Sequence, residues 1–140
     1  SAQDLAERIL ESEGAAAVST AEWLQIAARV QHKLMIALAP VLGDVGAHVL
    51  MARSIKKGRA RIPAIAGVVT GGSWGVLREQ LCACLGGQEP GEVRSFLGVA
   101  LAALFQLLST FIGEALTRRL LKEQWPQMII DREPDSVETS

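Results

Sequence analysis

The side chains able to do chemistry are few in this chain and widely spread. His32 and His48 are its histidines, and Cys82 and Cys84 its cysteines. Two histidines on consecutive helices could approach as axial haem ligands, but no Cys-x-x-Cys-His attachment motif accompanies them. Cysteines two apart on a helix point about 200° from each other, so they neither pair readily nor match the usual structural-zinc spacings. Gly71-Gly72-Ser73-Trp74-Gly75 could turn backbone N–H groups toward an anion, yet no Gly-Lys-Ser/Thr follows, and a turn with an N-cap is the better reading. No serine or threonine has a recognisable base beside it. The pattern implies no catalytic residue, no metal site and no cofactor.

One cluster does stand out. Arg53, Lys56, Lys57, Arg59 and Arg61 put five bases into nine residues with no acid among them. Such a patch suits an acidic protein surface, a phosphate or an anionic membrane. No aromatic residues interleave the bases to stack on nucleotides, so nucleic acid is not the expected partner. Cations also complement the C-terminal end of a helix dipole, which is the plainer role for the same residues. The wider charge map is segregated. Between Arg29 and Arg78 eight bases face one acid, Asp44, whereas residues 1–28 and the tail Asp131–Ser140 are acidic.

The elements that must carry these residues are helices. Apolar residues make up 49% of the chain and are mostly Ala, Leu, Val and Ile, with no Tyr. Ala and Leu are strong helix formers, and strands would draw more aromatic residues. At 140 residues one domain is expected, over 1–130, followed by an acidic tail, 131–140. Ser19 with Glu22 has the pattern of a capping box, opening a helix whose apolar residues Trp23, Ile26, Val30, Leu34 and Leu38 share a face. Pro40 should kink or end it. Asp44 then opens a helix stopped by Gly58, Ala64 to Val69 reads as a short helix, and Ser73 caps another ending at Gly86-Gly87. No internal repeat is evident.

A long helix from Pro90 to about Gln124 completes the reading, with Ser109 to Gly113 the expected place of a break. Ser95 to Gly113 contains no charged side chain over 19 residues. A membrane span needs about 20 apolar residues, so length does not exclude one. Gln106, Ser109 and Thr110 temper the run, and the surrounding amphipathic helices need a common apolar surface, which favours a buried axle. Leu97, Leu101, Leu104, Leu108 and Phe111 form its seam, either within the core or between two copies.

These patterns predict an all-α, compact bundle of five to six helices around a long hydrophobic C-terminal helix. The expected role is a non-enzymatic, cytoplasmic protein-interaction or regulatory module. It would form a homodimer and dock an acidic protein partner. A helical bundle that binds a small apolar ligand or cofactor is the second expectation, and a membrane-active helical domain the third.

Overall fold

A computed structural model of the chain describes residues 2–60 and 74–126. Arg61, the helix expected at 64–69, the Gly71-Gly72-Ser73 turn, the side chain of Trp74 and the acidic tail lie outside the described residues. Five helices are present and, among the described residues, no strand: α1 (Ala2–Glu13), α2 (Thr20–Gly58), α3 (Trp74–Leu85), α4 (Pro90–Ile112) and α5 (Glu114–Gln124). The fold is all-α.

The start of α2 follows its sequence signal. Ser19 Oγ accepts from the Glu22 backbone N–H at 3.1 Å, and Glu22 accepts in return from the Ser19 N–H at 3.1 Å. Pro40 does not end this helix, which runs on through it and breaks instead at Gly43, with φ 78° and ψ 161°. The chain tolerates Pro40 because Ile36, whose carbonyl loses its donor, and Pro40 are both exposed, and water can replace the missing bond. At Gly43 the chain folds back. Residues 20–42 form an outgoing arm and residues 44–58 a returning one, which brings Gly58 onto Phe96 and Ala100 of α4. The long C-terminal helix is divided in the same way, at Gly113, with φ 89° and ψ 154°.

The two bends are related. Sliding residues 20–56 by 70 positions places Gly43 on Gly113 and both 23-residue arms, 20–42 and 90–112, on one another. Buried residues then superpose: Ile26 on Phe96, Leu34 on Leu104, Leu38 on Leu108, Ala47 on Thr117, Leu50 on Leu120, Met51 on Leu121 and Ile55 on Trp125. Exposed Val41 falls on exposed Phe111. A shift of 72, allowing for a shorter connection, places Leu5 on Leu77, Ile9 on Leu81 and Gly14 on Gly86. Gly14 N–H donates to the Leu10 carbonyl at 2.8 Å, and Gly86 N–H to the Cys82 carbonyl at 2.9 Å. The described residues therefore repeat one unit of three helical segments, a relation that residue identities alone do not make evident.

The halves interlock. The outgoing arm of α2 and α4 start side by side, where Thr20 Oγ1 donates to the Gln88 carbonyl at 2.6 Å and Arg94 lies over the Trp23 ring at 5.8 Å. The returning arm of α2 reaches α4 through Gly58, and Trp125, after α5, reaches Lys33 of α2. In the same crossed manner, α1 packs on α4 and α3 on α2. This is an approximate two-fold relation with the two long arms at its centre. Leu38, Val93, Leu104, Phe105, Leu108 and Leu121 are almost wholly buried there. The axle of the bundle is thus a pair of helices rather than one.

Candidate functional site

The two halves differ most in how their first helix seats. α1 lies close on α4 because Gly98 leaves room for it: a Cβ there would stand 3.3 Å from Glu7 Oε2 and 3.7 Å from Leu10 Cδ1. Ala6, fully buried, faces this contact. At the related contact, of α3 with α2, Ala28 stands in the place of Gly98, and exposed Arg78 in the place of Ala6. Both substitutions add bulk where α3 meets α2, and α3 packs there more sparsely. The result is a groove of about 140 Å³ under α3.

Its walls are aliphatic and aromatic. Leu24, Ala27 and Leu34 come from the outgoing arm of α2, Met51 and Ile55 from the returning arm, Leu81 and Leu85 from α3, and Phe96, Leu97 and Leu101 from α4. Gln31, Ser54 and Cys82 add polar atoms, and Arg78 is the charged side chain in the lining. Ser54 Oγ is already committed, donating to the Met51 carbonyl at 2.8 Å. Cys82 and Cys84 are free thiols on separate faces of α3, Cys82 the more exposed.

The related place in the first half is shut by a polar lock. Glu13, whose side chain is 7% exposed, accepts from Arg29 Nε at 2.8 Å, from Lys33 Nζ, and from Trp125 Nε1 at 2.8 Å. Lys33 also sits over the Trp125 ring, 5.5 Å from its centroid. A second tie, Arg94 Nη2 to Glu7 Oε1 at 2.8 Å, fastens α1 to α4. The positions related to Glu13, Trp125 and Arg94 are Leu85, Ile55 and Leu24, all of which line the groove.

Burial alone would raise the pKa of the Glu13 carboxyl, but hydrogen bonds from Lys33, Arg29 and Trp125 and the charge of Lys33 outweigh it, holding the group at about 2. A carboxyl whose folded pKa is lowered stabilises the fold above its unfolded pKa, and that stability is lost as pH falls through the folded value. The window therefore runs from about pH 4.5 down to about pH 2. Glu13→Gln should cost about 1–3 kcal/mol at pH 7, the scale of hydrogen bonds to a charged group. The gap between variant and parent should close as pH falls through that window. Urea titrations at pH 7, 4 and 2.5 measure it, and a gap independent of pH would show that Glu13 works by packing alone.

The residues singled out by sequence are dispersed. Arg53, Lys56 and Lys57 are exposed on the last turns of α2, where Lys56 and Lys57 meet the negative end of the helix dipole, and Arg59, half-buried, caps the helix just beyond its end. In the predicted seam, Leu101, Leu104 and Leu108 are buried in the chain's own core, Leu97 lines the groove, and Phe111 is 58% exposed. His32 is exposed and His48 half-buried on the opposite arm of α2. Among the described residues no three His, Cys, Asp or Glu side chains gather into a metal-ligand group. Two helices, α2 and α4, are long and apolar enough to cross a membrane; half of the relevant stretch of α4 is buried inside the fold, and that of α2 is a third buried. Sequence reading missed the groove and the lock, both of which join residues far apart in the chain. No known protein family, curated protein or solved structure matches the chain.

Proposed function

We propose that this protein is a non-enzymatic binding module that holds a small, largely apolar molecule in the groove under α3. The observation that carries this reading is the groove itself: about 140 Å³ bounded by leucine, isoleucine, methionine, phenylalanine and alanine, with few polar groups to fix orientation. Ligand sites commonly have this make-up, a mainly hydrophobic cleft with a small number of placed polar atoms. An apolar cavity of about 150 Å³ engineered into another protein takes up benzene or xenon, so the volume suits a ligand of that scale.

Self-association has less support than the sequence alone suggested. α4 stops at Ile112, and its seam leucines Leu101, Leu104 and Leu108 are spent on the chain's own core. Ile36, Val41, Val45, Val49 and Phe111 are among the exposed apolar side chains left for a second copy.

Xenon uptake followed by ¹²⁹Xe exchange and by methyl shifts in the full chain tests the ligand reading. Resonances of Leu81, Leu85, Ile55 and Met51 should move, while those around the Glu13 lock should not. Movement confined to other regions, or none at millimolar xenon, overturns it.

A further inference from the structure

Resting on that reading, we propose that the ligand is a flat aromatic acid of one or two fused rings, its ring in the groove and its carboxylate against Arg78. Three observations converge on this chemistry. The first is the approximate two-fold relation of the halves, which pairs groove residue Ile55 with Trp125 of the lock. In the lock the indole is 4% exposed, filling the space between the end of α1 and the arm of α2. At the groove the smaller Ile55 stands in the related place, and no ring of the chain fills it. A planar molecule of similar size restores what the framework was built around.

The second observation is volume. About 140 Å³ is the scale of a single aromatic system. The third is Arg78. It is exposed, lines the groove, and replaces a buried alanine, Ala6, of the related half. An arginine at the rim of an otherwise apolar site offers a planar donor fork that fits a carboxylate with two parallel hydrogen bonds. The lock in the first half makes the same combination inside the chain, an aromatic ring and a carboxylate, Trp125 and Glu13, gathered by the cations Lys33 and Arg29. Val99 and Ala103 stand where the lock has Arg29 and Lys33, so the cation at the groove is Arg78, from a different position, and the ring and the carboxylate would come with the ligand.

Calorimetric titration of the full chain with indole-3-acetate, indole and octanoate tests this. Indole-3-acetate should bind one to one, at least fivefold more tightly than indole and tenfold more tightly than octanoate. Arg78→Gln should weaken indole-3-acetate about fivefold and leave indole unchanged. Ile55→Trp, which supplies the missing ring from the protein, should abolish binding of both. Ala28→Leu, at an exposed rim position, should weaken both at least fivefold and keeps the test open if Ile55→Trp fails to fold. Tighter binding of octanoate than of indole-3-acetate overturns the aromatic assignment while leaving an apolar-ligand site in place. Indifference of indole-3-acetate to Arg78→Gln overturns the carboxylate contact. If xenon fails to shift the groove and no titrant binds, the ligand reading itself falls.

Discussion

Leu108→Ala and Leu38→Ala should each cost about 2–5 kcal/mol in unfolding free energy, and by similar amounts. Both side chains are fully buried, at related positions near the ends of the two central arms. Truncating leucine to alanine in a packed core loses transfer free energy and leaves a cavity that neighbours fill only in part. Their equivalence is the sharper part of the prediction. If α4 were a lone axle with α2 laid on its surface, Leu38→Ala would cost far less than Leu108→Ala. Urea denaturation of the two variants, with exposed Gln25→Ala as a control expected within about 0.5 kcal/mol, decides between these arrangements. A difference of several kcal/mol between the leucine variants would sink the paired-axle description.

The second large effect belongs to the bends. Gly43 and Gly113 both hold positive φ with ψ above 150°, a region open essentially to glycine alone. Space is not the constraint, since a Cβ at either position would meet nothing within 4 Å. Gly43→Ala and Gly113→Ala should therefore each cost about 1–3 kcal/mol purely through backbone strain. Gly91→Ala, in the first turn of α4 with equally open surroundings, should be neutral or slightly stabilising, because alanine loses less backbone entropy there. Matched thermal melts of the three variants test this, and a Gly91→Ala loss as large as the other two would remove conformation as the cause.

The bends also explain where a sequence reading succeeds. A glycine is visible in the chain as a residue type, and Gly14, Gly58 and Gly113 do mark helix ends. The capping box at Ser19 and the proline at the start of α4 are local devices, satisfied by atoms three or four residues away. Pro40 misled because its cost depends on whether water reaches the carbonyl it leaves unpaired, which is a matter of exposure. The repeat is hidden at the level of residue identity for a related reason. Few identities survive in it, among them Glu22 with Glu92, Leu34 with Leu104, Leu38 with Leu108, Gly43 with Gly113 and Leu50 with Leu120. Most core pairs keep only their apolar character, as packing requires similar volume and burial more than one residue type.

By itself, then, the sequence determined the all-α class, most helix limits and the apolar stripes, because periodicity, capping and turn chemistry act within a few residues. Tertiary structure decided which stripes meet. It turned the leucines of α4 inward against their counterparts on α2, and gathered Glu13, Arg29, Lys33 and Trp125 from across the chain into one lock. It also opened the groove under α3, in contrast with the close seat that Gly98 gives α1 on α4. Such a site is a difference between two packed interfaces, and it takes shape only once the helices have been set against each other.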